Sequence, residues 1–190
     1  SENNIWLHVD AAHGGCLVFS ESLKYLLKGI EKADSLSFDG HKMMFMPSSI
    51  GIFLTKNMAD FENCFNDISA PYLYNNESSE HDLSRISLQC TRRADALKLW
   101  GCLFAYGTDF FAERFQYLAQ LTRYFHGKLQ QNPNFTPLNQ PQFNILCFRY
   151  TPSHKSEQEL NQINYKIRDL VNNSGQAMLT ITNVAGRTYL

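Results

Sequence analysis

A chain of 190 residues, 44% hydrophobic and 13% aromatic, is long enough to bury one sizeable core or two small ones, and it reads as globular. With 17 basic against 18 acidic residues the formal net charge is −1, which sets up no field for nucleic acid or an anionic membrane and leaves a small-molecule ligand as the expectation. No uninterrupted apolar run reaches the roughly 18 residues of a spanning helix, and the opening Ser1-Glu2-Asn3-Asn4 lacks signal-peptide character, so a cytoplasmic location is expected.

In chain order, Ile5 to Val9 is a short apolar run that predicts a buried strand, and Ser20 to Gly29 predicts a helix capped by Ser20 or Ser22 and stopped by Gly29. Ser35 to Phe38 and Ile50 to Leu54 predict two further strands. Strand, helix, strand, strand suits an α/β sheet with ligand groups at the strand ends. Gly14 and Gly15 follow the first strand, either as a simple turn or to let backbone approach a ligand. Asn57 to Asn66 predicts a helix leading into a polar loop from Asp67 to Asp82, of the kind that closes over a site. Ala94 to Tyr106 has apolar residues at helical spacing and Gly107 to end it; Thr108 then caps a long helix to about Leu129, with Phe111, Phe115, Leu118, Leu121 and Phe125 as a core stripe. Beyond Asn132-Pro133 the composition shifts toward Asn, Gln and Pro. There the pattern predicts a strand (Asn144 to Tyr150), a helix (Glu157 to Asn173), Gly175 and a strand (Met178 to Val184).

Cys16, Cys64, Cys90, Cys102 and Cys147 are odd in number and scattered, without a Cys-x-x-Cys pair, which predicts reduced thiols serving as small apolar filler. His8, Asp10 and His13 invite a metal reading, since alternate strand positions share a face, but no further His or acid lies at a supporting spacing and no metal site is expected.

The chemistry concentrates in Asp10-Ala11-Ala12 and Asp39-Gly40-His41-Lys42. An acid at the end of one strand and an amine after the next could face the two ends of a bound ring. Pyridoxal phosphate chemistry needs this pair: the lysine holds the aldehyde as a Schiff base and the carboxylate keeps the pyridine nitrogen protonated.

The runs WLHVDAAHGG and ADSLSFDGHKMM, continued by SLQCTRRADALKLWGCLFAYG, resemble the group II pyridoxal-phosphate-dependent decarboxylases of amino acids, which include glutamate, cysteine sulfinate, diaminobutyrate and aromatic amino acid decarboxylases. Three ordered motifs at family-like spacing are far more specific than a lone His-Lys pair. The resemblance covers most of the chain and thins toward the end. It implies a fold-type I α/β architecture, with residues 1–107 as the second part of a cofactor-binding large domain, 108–132 as a connecting helix and 133–190 as part of a small α+β C-terminal domain. Chains of that family are more than twice as long, so an interior-to-C-terminal piece, inactive by itself, is expected. A homodimer is implied as well.

By the same resemblance Lys42 forms the link to pyridoxal 5′-phosphate, Asp10 faces the pyridine nitrogen, Ala12 lies under the ring, and His41 lies near the cofactor phosphate. Thr91 matches a small residue whose backbone reaches the phosphate of the neighbouring subunit, with Arg92 and Arg93 beside it. Tyr72 falls where glutamate decarboxylases carry a loop tyrosine that returns a proton to Cα, and Tyr74 is a second candidate for that role. Asp39 stands where animal members carry asparagine; a carboxylate would repel phosphate, so its contact with the cofactor stays open. The implied reaction is α-decarboxylation of an L-amino acid. HKMM, SAPYLY and SLQC lean toward the acidic substrates glutamate and cysteine sulfinate, with diaminobutyrate open. Two rival readings are another fold-type I enzyme, an aminotransferase or lyase without need of the tyrosine loop, and a non-catalytic truncated piece.

Overall fold

The computed structural model describes residues 5–65, 86–89 and 91–190. These divide into two compact units, Ser1–Glu113 and Arg114–Leu190. Among the described residues, no helix is long and apolar enough to cross a membrane.

The first unit is built on a three-stranded sheet in the order β1 (His8–Asp10), β2 (Ser35–Asp39), β3 (Gly51–Thr55). β1 and β2 run parallel, with Val9 opposite Leu36 and Asp10 opposite Ser37; β3 returns antiparallel, with Ser37 opposite Phe53. Antiparallel return needs only a short connection, and the stretch from Gly40 to Ile50 supplies one. Strand alternation puts His8, Asp10, Ser35, Ser37 and Phe53 on one face and Val9, Leu36 and Leu54 on the other. On the polar face His8 Nδ1 lies 2.8 Å from Ser35 Oγ, His8 Nε2 lies 3.5 Å from Ser37 Oγ, and the His8 ring stacks on Phe53 with centroids 6.0 Å apart.

β1 is shorter than its apolar run predicts, because Ile5 is 65% exposed and the residues up to Leu7 are not in the ladder. Leu7 instead joins Asp34: its N–H donates to the Asp34 carboxylate at 2.7 Å and its carbonyl accepts from Asp34 N–H at 2.8 Å.

The helix expected from Ser20 to Gly29 is not formed. Three 3-10 turns (Gly15–Phe19, Lys24–Leu27, Ile30–Lys32) connect β1 to β2 instead. Leu23 is buried and Leu26 and Leu27 are half-buried, while Tyr25 is 63% exposed, so the apolar residues face inward from separate 3-10 turns rather than from one helix. Gly29 does end the segment, in the left-handed conformation (φ 97°). Helix α1 spans Met58–Asn63, shorter than predicted among the described residues.

Helix α2 (Ala96–Gln130) is broken at Gly107, whose φ of 69° and ψ of 177° lie outside the helical region, as the predicted stop there requires. Of the predicted core stripe, Phe111 and Phe115 are buried, whereas Leu121 and Phe125 are 46% and 43% exposed.

In the second unit, β4 (Phe135–Pro137) pairs antiparallel with β5 (Phe148–Tyr150), α3 spans Glu157–Ser174, and β6 (Thr182–Val184) pairs antiparallel with β7 (Arg187–Tyr189). Ala185 and Gly186 take positive φ (49° and 77°), the conformation a tight hairpin turn needs; of the strand predicted from Met178 to Val184 only Thr182–Val184 forms, and the turn adds a second strand beyond it. The core gathers Leu129, Phe148 and Leu190 with Phe135, Leu146, Ile167, Leu179 and Ile181 packed against them. α3 begins at a capping box, Ser156 Oγ accepting from Glu159 N–H while the Glu159 carboxylate accepts from Ser156 N–H, and it ends at Gly175 in the left-handed region.

Asparagine carboxamides tie this unit together by pairing with backbone as another strand would. Asn164, fully buried, accepts from Tyr150 N–H (2.8 Å) and donates to Tyr150 carbonyl (2.9 Å). Asn172 does the same to Leu179 (2.7 and 3.0 Å), and Asn161 accepts from Thr188 N–H and donates to Gly186 carbonyl. The shift toward Asn in the sequence has this physical content.

Candidate active site

β1 and β2 are parallel neighbours, so their C-terminal ends emerge side by side. Asp10 is the last residue of β1 and Asp39 the last of β2. Backbone bonds hold the two exits together: Ala11 N–H donates to Ser37 carbonyl at 2.8 Å and Asp39 N–H to Ala12 carbonyl at 3.2 Å. Asp10 and Ala12, predicted to contact one ligand, therefore adjoin the turn that carries His41 and Lys42.

The Asp10 side chain is oriented locally. One carboxylate oxygen accepts from Ala12 N–H at 3.0 Å, an Asx-type turn that fixes the acid at the strand exit. Gly14 and Gly15 follow, and the structure separates their roles. A Cβ on Gly14 would meet nothing within 4 Å, whereas one on Gly15 would lie 2.6 Å from Phe38 Cβ. Gly15 is thus the residue that lets the turn after Asp10 lie flat on β2. Cys16, next in line, is buried, and burial pushes its thiol up to about 12, consistent with packing rather than reactivity.

The turn after β2 is equally tight. A Cβ at Gly40 would stand 3.1 Å from Ile50 Cγ2. His41 Nδ1 is 2.8 Å from the Ile50 carbonyl and 3.1 Å from the Ile50 amide nitrogen, so it donates to the one when protonated and accepts from the other when not. Its Nε2 faces Asp39, 3.7 Å from Oδ2. Lys42 follows with Nζ 2.9 Å from the same Asp39 oxygen, and its side chain is 44% exposed. Sequence reasoning placed Asp39 near a phosphate only as an open question; it did not foresee this ion pair, although an acid three residues before a lysine in a turn was a signal for it.

Thr91 is exposed, and among the described residues no hydrogen bond or ion pair joins it to Asp10, Asp39, His41 or Lys42. Arg93 engages Asp95 at 3.6 Å, where Lys98 also pairs. Tyr72 and Tyr74 lie outside the described residues.

The chain is 33% identical over 182 residues to the L-2,4-diaminobutyrate decarboxylase of Acinetobacter baumannii, covering 94% of this chain and 35% of that protein. It is 33% identical over 161 residues to the acidic amino acid decarboxylase GADL1 of Mus musculus, covering 83% and 29%. The chain therefore spans about a third of the length of the curated relatives it matches. Among solved structures, mouse CSAD superposes with a TM-score of 0.86 at 25% identity, over 99% of this chain and 41% of that one, which bears out the fold-type I expectation. The family model described as the pyridoxal-dependent decarboxylase conserved domain matches residues 1–151. On that match, which takes in both strand ends and the Asp39–Lys42 turn, the chain belongs to the pyridoxal-dependent decarboxylase family.

Proposed function

We propose that this chain is part of an enzyme that removes the α-carboxyl group of an L-amino acid as carbon dioxide, with pyridoxal 5′-phosphate as cofactor. The observation that carries the reading is a carboxylate, Asp10, at the exit of one strand and an amine, Lys42, in the turn leaving its parallel neighbour.

The donor set fits the cofactor. Asp10 offers an anion to a protonated ring nitrogen, Lys42 offers a solvent-reachable amine to an aldehyde, and Ala12 brings only a methyl group to the same exit. When bound, pyridoxal phosphate supplies the electron sink for the pair released as the carboxyl group leaves. The residues do the rest. Asp10, held by Ala12 N–H, would pair with the ring nitrogen and favour its protonated form. Lys42 would hold the aldehyde and offers an amine that could carry a proton. His41, held by the Ile50 backbone through Nδ1, can donate from Nε2 to an anionic oxygen. Tyr72, or Tyr74, would return a proton to Cα, and in a homodimer the backbone at Thr91 would serve the phosphate of a neighbouring copy.

On this reading 1–107 belongs to the large domain, 108–132 connects and 133–190 belongs to the small one, in a cytoplasmic enzyme. The substrate is acidic, of the glutamate or cysteine sulfinate type, which the runs HKMM, SAPYLY and SLQC support. Relatives named for diaminobutyrate, acidic and aromatic substrates bracket the choice. The test is borohydride reduction of the full-length protein with pyridoxal phosphate, peptide mapping, and a screen for released carbon dioxide. Label on Lys42 with release from an acidic amino acid is expected; label absent from Lys42 overturns the assignment.

A further inference from the structure

We propose that Phe45 is a positioning residue: by taking positive φ it closes the loop that carries Lys42, so that its backbone conformation, and not its ring, sets where the amine stands. Phe45 has a φ of 58°, in a region that glycine enters freely, asparagine tolerates and bulky side chains rarely adopt. A bulky residue persists there only where its surroundings impose the conformation. Its neighbours do so here. Met44 is 0% exposed and Met46 6%, whereas Phe45 between them is 57% exposed, so two buried side chains pin the chain on either side of an outward-facing one.

The loop closes on Gly40. Met46 N–H donates to Gly40 carbonyl at 3.1 Å, and Met46 Cγ lies 3.6 Å from the place that a Cβ on Gly40 would occupy. Gly40 is tied in turn to Ile50, its N–H donating to that carbonyl at 2.9 Å. Within the loop Lys42 N–H donates to Asp39 carbonyl at 3.4 Å and Phe45 N–H to Lys42 carbonyl at 3.3 Å, so two successive turns share Lys42. Of the described residues from Gly40 to Met46, Phe45 alone takes positive φ. A residue that resists this conformation would push Met46 off Gly40 and shift the Lys42 backbone, which both turns use. Because the Phe45 ring is mostly exposed, a substitution there changes backbone preference with little loss of packing, and the two effects can be told apart. The bearing on cofactor binding rests on the assignment of Lys42 under Proposed function; the closure of the loop does not.

The test compares Phe45→Gly, Phe45→Asn, Phe45→Leu and Phe45→Val with wild type in the full-length protein. Without cofactor, protection of the Met46 amide from hydrogen exchange, read by mass spectrometry on overlapping peptides, reports loop closure. Glycine should raise protection about fivefold and the β-branched valine lower it about fivefold, with asparagine above wild type and leucine near it. With pyridoxal phosphate added and borohydride applied at timed intervals, the rate of labelling at Lys42 should follow the same order, about threefold slower in Phe45→Val than in Phe45→Gly. Glycine and asparagine share nothing with the phenylalanine ring, so an order led by them is one that loss of a side-chain contact does not produce. Protection and labelling kept by leucine and valine but lost with glycine and asparagine would overturn the inference and give the role to the ring; equal protection in all five proteins would overturn it as well. Absence of label on Lys42 in wild type removes the assignment under Proposed function, while Met46 protection still decides the role of Phe45.

Discussion

Removing the Asn164 carboxamide should open one edge of β5. Successive residues of an antiparallel strand bond to alternate sides. Thr151 N–H turns to Asn134 carbonyl on the β4 side, while Phe148 exchanges two bonds with Leu190 on the other (3.1 and 2.7 Å). Tyr150 faces that second side too, and there the chain partner is replaced by Asn164, at 2.8 and 2.9 Å. Asn164→Ala would leave both Tyr150 backbone groups without a partner in a partly buried position. At roughly 1–3 kcal/mol for each orphaned group, discounted because Tyr150 retains some access to water, the loss is about 3 kcal/mol. The bond from Asn164 Nδ2 to Leu160 carbonyl adds little, since that oxygen already serves the helix. Amide hydrogen exchange read by mass spectrometry on a peptide spanning Phe148 to Thr151 reports the effect locally. About 3 kcal/mol corresponds to roughly a hundredfold faster exchange at Tyr150. Protection within a few-fold of wild type would refute the idea that the carboxamide stands in for a strand.

Gly15→Ala should destabilise the first unit by about 1–3 kcal/mol, because the new Cβ would sit 2.6 Å from Phe38 Cβ and neither backbone can give way cheaply; an unchanged thermal midpoint of the full-length protein would contradict the contact. The carboxyl of Glu159 is held down to about 2 by the Ser156 N–H, with Lys155 and the Ser156 hydroxyl adding to it. A depressed folded value means stability present above the ordinary carboxylate range near pH 4.5 and lost as pH falls through about 2. Compared with Glu159→Gln, wild type should therefore lose thermal stability between pH 5 and pH 2; identical pH profiles for the two proteins would count against the capping box.

How legible these features were depended on how local their causes are. β2 and β3 announced themselves as short strand-like segments, the first alternating polar and apolar residues and the second largely apolar, and Gly107, Gly175 and Gly29 marked true breaks because each takes positive φ where other residues are strained. The failed helix from Ser20 shows the opposite case: its apolar spacing was adequate, yet the chain there winds as separate 3-10 turns, a choice that spacing alone does not carry. β4 sits among Asn, Gln and Pro residues that carry no strand pattern, and it exists because β5 offers an edge. The roles of Asp10 and Lys42 rested on motif order, yet the carboxylate beside Lys42 came from turn geometry, which a linear reading of charge did not weigh. The value of Gly15 was ambiguous in sequence because its neighbour, Phe38, is distant along the chain.

The His8 contacts carry a consequence for the site two residues further on. A parallel ladder only three residues long has few backbone bonds with which to resist sliding, and a slip of one residue would exchange the faces of β1 and send Asp10 where Val9 now points. His8 spans Ser35 and Ser37, which flank Leu36 along the neighbouring strand, and its ring also rests on Phe53 of β3. It works as a peg fitted across two notches, holding β1 against lengthwise drift. The aim of the carboxylate at the strand tip is thus governed in part by a pair of serine hydroxyls on the neighbouring strand.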